Sequence, residues 1–220
     1  MELAKLSRKG QLYIPKRLLK ALGVEGEAYF LVELAPEGGL LLRPAGVYPL
    51  EVYTEERLQE LLAEDTLTAL PPSPVRLHRL FLDANVLFAA CWQEGRAQAL
   101  LELAPRAKVL LLTSPHALEE ARRNLEAKRP EALECLQRIR ERVQTVPEAP
   151  MALVQKALAE GLPLKDAPIL AAAWKAGAEA LVTGDRRHFG HLMGKRVRGL
   201  WVVSLAEALA GVMGLLEDKG

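Results

Sequence analysis

The chain has 220 residues, half of them hydrophobic, and its 29 basic and 28 acidic side chains nearly cancel to a net charge of +1. That length holds one ordinary domain plus a small one, and the apolar fraction is enough to bury a sizeable core. No apolar run is long enough to cross a bilayer and no leader-like segment is read. Cys91 and Cys135 have no metal-ligand spacing, so a cytoplasmic chain with free, buried thiols and no membrane partner is expected.

The first 23 residues carry Lys5, Arg8, Lys9, Lys16, Arg17 and Lys20 against Glu2 alone, a basic head suited to an anionic partner. A strand is expected over 3–7, a turn at Arg8-Lys9-Gly10 and a second strand over 11–14. Pro15 suits the first turn of a short helix reaching about Leu22, with Gly23 as its stop. Residues 28–34 and 39–43 form a hairpin across Pro36-Glu37-Gly38. A unit of roughly this size cannot enclose a core alone, which predicts a dimer that shares one.

Residues 51–65 reverse the sign, with Glu51, Glu55, Glu56, Glu60, Glu64 and Asp65 against Arg57. Thr54 is a good N-cap, and Leu58, Leu61 and Leu62 make a narrow apolar stripe on a charged helix. This helix is read either as a solvated spacer or as a segment docked on the following domain of its own or a partner chain. Residues 66–74, with Pro71, Pro72 and Pro74, form a linker. Beyond it come a strand over 80–82, a helix from 86 to about 103 and a strand over 108–113. A helix from Pro115 capped by Ser114, helices over 130–143 and 166–176, strands over 180–183 and 200–204, and a last helix complete the chain. The fold class is α/β, a parallel sheet covered by helices. The expected division is a β-rich unit over 1–47, an acidic helix and linker over 48–78, and the α/β domain over 79–220.

Only five of the acidic residues are aspartate (Asp65, Asp83, Asp166, Asp185 and Asp218), and asparagine occurs only at Asn85 and Asn124. The scarcity of amides fits a thermophilic origin, and GC-rich coding would give much the same bias. Parallel sheets gather their sites beyond the carboxyl ends of the strands. Asp83 ends the strand 80–82, and Asp185 follows Thr183 and one glycine at the end of 180–183. Glu120 lies on the helix after 108–113, and Asp166 opens another helix. Asn85 sits two residues past Asp83, and Asn124 one helical turn past Glu120. Such hard oxygen ligands suit Mg²⁺ or Mn²⁺, and one or two such ions can activate a water against a phosphodiester. Glu119 competes with Glu120. Glu120, however, shares a helical side with Ala117, Asn124 and Ala127, whereas Glu119 points toward Arg122 and Arg123. Each carboxylate also has an ordinary alternative: helix caps for Asp83 and Asp166, a turn for Asp185, solvation for Glu120.

In this order the residues resemble the PIN-domain nucleases. Phe81-Leu-Asp-Ala-Asn-Val-Leu looks like the first motif and Thr113-Ser-Pro-His-Ala-Leu-Glu-Glu-Ala-Arg-Arg-Asn-Leu like the second. Lys165-Asp-Ala-Pro-Ile-Leu-Ala-Ala-Ala and Ala180-Leu-Val-Thr-Gly-Asp-Arg-Arg-His-Phe supply the third and fourth. The resemblance spans 79–209 and implies catalytic metal ligands at Asp83, Glu120, Asp166 and Asp185, supported by Asn85, Asn124 and Thr183. His188 stands where the family often has a further acidic residue, which leaves one ion or two open.

Leu6-Ser-Arg-Lys-Gly-Gln-Leu-Tyr-Ile-Pro-Lys, with Ala21-Leu-Gly-Val and the hairpin after it, resembles the AbrB/MazE swapped-hairpin DNA-binding domains. This implies an intertwined homodimer, open to higher assembly, that meets operator DNA through Lys5, Arg8, Lys9, Lys16 and Arg17. Together the halves resemble a fused antitoxin and toxin of the VapBC kind, which implies an endoribonuclease acting on RNA. Arg122, Arg123, Lys165 and Arg186 are placed to meet phosphates. A competing reading is a DNA-binding regulator whose PIN-like half is catalytically silent. A haloacid-dehalogenase-type phosphatase is disfavoured because position 85 is Asn rather than a second aspartate. His188 and His191 lack further partners for zinc.

Overall fold

Leu80–Leu82 and Ala180–Val182 are apolar at successive positions because the strands they form are covered on both faces. The structure is a computed structural model describing residues 4–22, 24, 28–35, 38–66 and 77–217. The expected stop at Gly23, most of the Pro36-Glu37-Gly38 turn, most of the 66–74 linker, and Asp218 lie outside those residues.

The chain begins with β1 (Lys5–Leu6) and β2 (Leu12–Tyr13), an antiparallel pair, then α1 (Lys16–Ala21). The hairpin of β3 (Tyr29–Leu34) and β4 (Leu40–Ala45) follows. None of the residues of 4–47 whose burial is described is buried, and Leu6, Tyr13, Tyr29, Leu34 and Leu40 are largely exposed.

The acidic helix is α2 (Glu55–Ala63), and Thr54 caps it by accepting from the Arg57 amide. It is not a solvated spacer: Arg57, Leu58 and Leu61 are buried, and the helix packs on the α/β domain of its own chain. Tyr53 stands edge-on to Phe88, and Tyr48 donates to Met151 Sδ at 3.4 Å. We call residues 48–66 the strap.

The α/β domain runs β5 (Arg79–Leu82), α3 (Ala84–Trp92), α4 (Arg96–Arg106), β6 (Leu110–Thr113) and α5 (Pro115–Lys128). A 3-10 turn (Pro130–Ala132) leads to α6 (Leu133–Arg142), β7 (Gln144–Thr145), α7 (Met151–Ala159) and α8 (Ala167–Lys175). Then come β8 (Ala180–Val182), α9 (Arg186–Phe189), β9 (Arg196–Val197), β10 (Leu200–Val203) and α10 (Leu205–Glu217). The sheet order is β7-β6-β5-β8-β10-β9. All pairings are parallel except β9 with β10, so the expected parallel sheet carries one antiparallel edge. β7 and β9 are two residues each, too short for any periodic signal.

The single helix expected from 86 to about 103 is instead two, broken at Gln93-Glu94-Gly95. The reason is Asp65, which is wholly buried at the strap's end. Its backbone carbonyl accepts from Arg96 N, and its Oδ1 accepts from Ala97 N at 2.7 Å, so it satisfies the free amides that open α4. A Cβ at Gly95 would collide with that carboxylate and carbonyl, so glycine is required there. Asp65→Ala should cost about 2 kcal/mol, as an amide at the head of α4 loses its acceptor in a buried setting. Thermal unfolding should register this as a clear drop in Tm, and an unchanged Tm would mean water replaces the cap.

Cys91 and Cys135 are half-buried free thiols on α3 and α6. Burial and the neighbouring Cys135 push the Cys91 thiol well up. Among the described residues no helix is long and apolar enough to cross a membrane.

Candidate functional site

β5 and β8 lie side by side at the centre of the sheet, and the chain departs from them toward opposite edges. The crevice beyond their carboxyl ends is where Asp83 and Asp185 emerge. Both are buried, as are Glu120 on α5 and Asp166 before α8.

Asp83 is held as an acceptor on every side. Its Oδ1 takes the Ala84 amide at 2.6 Å, and its Oδ2 takes Asn85 Nδ2 and the Thr183 hydroxyl, each at 2.6 Å. Asn85 also accepts from Gly184 N at 2.8 Å, tying the ends of β5 and β8 together. Thr183 in turn accepts from the Asp185 amide at 3.0 Å. Asp185 caps α9 by accepting from His188 N at 2.9 Å, and it lies 2.7 Å from His188 Nδ1. Asp166 occupies the N-cap position of α8 without capping it: its side chain bonds no helix amide. Its Oδ2 is buried without a hydrogen-bond donor, the nearest basic nitrogen being His188 Nδ1 at 3.4 Å.

The strap crosses this crevice. Glu120 accepts from the backbone amide of Glu51 at 3.0 Å and from the Tyr53 hydroxyl at 3.3 Å. Asn124 accepts from Tyr53 N and donates to the Glu51 carbonyl, both at 2.7 Å, so it grips the strap rather than the carboxylates. Arg57, 4% exposed, sets Nη2 2.6 Å from Asp185 Oδ2 and Nε 3.2 Å from Glu51 Oε1. Lys165 Nζ lies 2.8 Å from the same Glu51 oxygen. Glu51, Asp166, Asp185 and His188 each offer one ligand atom, all within 4.8 Å of one another.

Burial pushes the Asp166 and Glu120 carboxyls up to about 8, with the charge of Asp83 adding to it. Burial also lifts Asp83 to about 6, against the hydrogen bond from Thr183. For Asp185 burial is outweighed by the bonds from His188 and by Arg57, and its carboxyl is held below the usual range. Burial in the crevice thus favours the neutral form of Asp166 and Glu120.

The structure thus brings Asp83, Asp166, Asp185 and Glu120 to one rim, with Asn85 and Thr183 beneath them. Glu119 faces outward and pairs with Arg122 and Arg123 at 2.8 Å, and Arg122 also pairs with Glu126. Two participants were not anticipated. The sequence presents His188 as a departure from an acidic pattern and, with His191, as a poorly supported zinc pair, and Glu51 lies hidden among other glutamates. The available signal was Arg57, the lone basic residue in an acidic run. Lys5, Arg8, Lys9, Lys16 and Arg17 are exposed, on β1, the β1–β2 turn and the first turn of α1.

Residues 79–187, just under half of the chain, match the family described as PIN domain. No curated protein matches the chain. Among solved structures, PAE2754 from Pyrobaculum aerophilum is 20% identical with a TM-score of 0.46, covering 62% of this chain and 97% of that one. VapC20 from Mycobacterium tuberculosis, a toxin described as cleaving the sarcin-ricin loop, is 17% identical with a TM-score of 0.39, covering 51% of this chain and 94% of that one.

Proposed function

We propose that the chain is a metal-dependent endoribonuclease of the PIN type, joined to an N-terminal DNA-binding unit. The observation that carries the reading is the convergence of Asp83, Asp166, Asp185 and Glu120 at one buried rim within the PIN-matching segment. The orphaned Asp166 Oδ2 and the closely spaced ligand atoms around it fit a divalent cation. Oxygen donors suit Mg²⁺ or Mn²⁺, and the His188 imidazole tilts the choice toward Mn²⁺. Asp83, Asp166 and Asp185 would hold the ion, with Glu120 beside them. When bound, the ion supplies Lewis acidity toward a phosphodiester and lowers the pKa of an attacking water. Thr183 and Asn85 hold the Asp83 oxygens in place, and His188 does the same for Asp185.

The test is incubation of mixed-sequence single-stranded RNA, and the DNA of the same sequence, with the full chain in Mg²⁺, Mn²⁺ or EDTA. Cleavage of RNA that EDTA abolishes supports the reading. Folded protein that cuts neither strand, even with Glu51→Gln and Arg57→Gln combined, overturns it in favour of a regulator with a silent PIN-like half. Glu120→Gln separates ligand from scaffold. The isosteric amide suits a site that already favours the neutral form, so Tm should stay within about 2 °C or rise while RNA cleavage drops roughly a hundredfold. Glu119→Gln should leave cleavage unchanged, and equal losses from both would place the ligand elsewhere.

For residues 1–47 the reading is a homodimer that binds operator DNA through Lys5, Arg8, Lys9, Lys16 and Arg17. What supports it is the set of exposed apolar side chains on β1–β4, which a second copy would cover. Light scattering should give a dimer, and deleting 1–47 should give a monomer or a weaker assembly. A full chain that is monomeric at micromolar concentration would sink the shared core.

A further inference from the structure

We propose that Cys91 and Cys135 form a reversible oxidation site, in which a small hydroperoxide entering by the cavity beside α6 converts the two thiols into a disulfide joining α3 to α6. They are the only cysteines among the chain's 220 residues, and they lie on helices that pack against each other. The Cys135 thiol donates to the Ala90 carbonyl at 3.8 Å, across 45 positions of sequence. That sets its sulfur against the last turn of α3, where Cys91 is the next residue. A packed residue touches roughly 6–12 others, so two cysteines placed without regard to each other in a chain of this length would be neighbours in about one case in twenty. Bonding a free carbonyl at the end of α3 is a task that serine would also perform, so it does not account for sulfur at position 135. Among the described residues the one grouping of three or more metal-ligating side chains is at the carboxylate crevice, so the thiols lack the further ligands of a structural zinc site.

The two sulfurs differ in access and in charge. A cavity of about 280 Å³ is lined by Cys135 together with Gln98, Glu102, Arg138 and Arg142, and Cys91 is not part of that lining. A peroxide therefore meets Cys135 first. Arg138 stands one turn beyond Cys135 on α6, and with Arg142 it brings positive charge to the cavity against the single carboxylate of Glu102. Cations beside a sulfur favour its thiolate. Burial, and then Cys135 itself, lift the Cys91 thiol, which keeps that partner protonated, although Arg138 draws it down. With hydrogen peroxide, the Cys135 sulfur takes up one oxygen as a sulfenic acid and the first water leaves. The Cys91 sulfur then attacks the sulfenic sulfur, and its proton departs with the hydroxyl as the second water. Two thiols are oxidised and one peroxide is reduced. The link closes the chain over α4, β6 and α5, so oxidation restricts the unfolded chain and stabilises the domain. None of this depends on the nuclease reading.

The experiment takes the full chain, reduced with dithiothreitol and desalted, through hydrogen peroxide and then through a maleimide in guanidinium, which reaches every remaining thiol. Mass spectrometry of the intact chain and its peptides reads the product, beside a thermal melt of the oxidised and reduced forms. Wild type is expected to lose two hydrogens, to take no maleimide and to yield peptides joined through Cys91 and Cys135 of a single chain. Its Tm should rise by on the order of 10 °C, and dithiothreitol should reverse both changes. Cys91→Ser should stop at the sulfenic acid of Cys135, captured by dimedone. Cys135→Ser keeps the donor to Ala90 and should leave Cys91 reactive toward maleimide after the same treatment. The proposal is overturned if wild type still takes two maleimides, if the link forms between chains, or if Cys135 passes to the sulfinic acid unlinked. Should either serine variant fail to fold, the wild-type products decide alone.

Discussion

Asp83→Asn is expected to give a folded chain that cleaves RNA roughly a thousandfold more slowly, a loss of about 4 kcal/mol of transition-state stabilisation. Asp83 accepts three hydrogen bonds, from Ala84 N, Asn85 Nδ2 and the Thr183 hydroxyl. An asparagine has one acceptor oxygen, so its amide must face a donor on one side. Thr183 cannot relieve this by turning, because it already accepts from Asn85 and from the Asp185 amide. The lost bond costs about 1–3 kcal/mol. Removing a carboxylate that burial has already lifted to about 6 offsets part of that, so the fold survives. Cleavage suffers because the neutral amide is a poor ligand for a hard cation and no longer adds its charge to the rim. The measurement is single-turnover cleavage at saturating Mn²⁺ beside a thermal melt. A folded Asp83→Asn chain with wild-type rate would remove Asp83 from the chemistry.

Without divalent metal, Tm is expected to fall as pH rises from about 5 to about 8, by on the order of 10 °C, and Mn²⁺ should restore it most at the upper end. Glu120 and Asp166 sit at about 8 in the folded chain, while an unfolded carboxyl titrates near 4. Between those values the folded state binds more protons than the unfolded state. Stability is therefore complete below the lower value and is lost as pH climbs through the upper one. Asp185 runs the other way: held below the usual range, it adds stability above the unfolded value that disappears on acidification. A bound cation favours the ionised carboxylates, so it opposes the alkaline loss and releases protons as it binds. A melt whose Tm is flat over that window without metal would mean that Arg57 and Lys165 already keep the carboxylates ionised.

The four central carboxylates were legible because an α/β sheet delivers strand ends and the following helices to one rim, and rare aspartates at those places stand out. The choice of Glu120 over Glu119 rested on helical angle, and the structure buries Glu120 while Glu119 pairs outward with arginines. The strap's position was not legible. Glu51 reaches the rim through contacts with residues 69 and 73 positions away in sequence and with Lys165, and nothing in its immediate neighbours distinguishes it from Glu55 or Glu56. Helical periodicity groups Asn124 with the carboxylates, yet it serves the strap backbone. The break between α3 and α4 was missed for the same reason, since the residue that enforces it belongs to another segment.

Asp65 has a consequence beyond capping a helix. It fixes the strap's C-terminal end to the body of the domain, and the strap is covalently continuous with the chain it covers. Its local concentration at the crevice is therefore set by chain geometry, on the order of millimolar for a short connection, and not by how much protein is present. Dilution, which separates two chains that meet, leaves this contact in place. Only a competitor for the crevice, or a cut between Glu51 and Asp65, would keep it open.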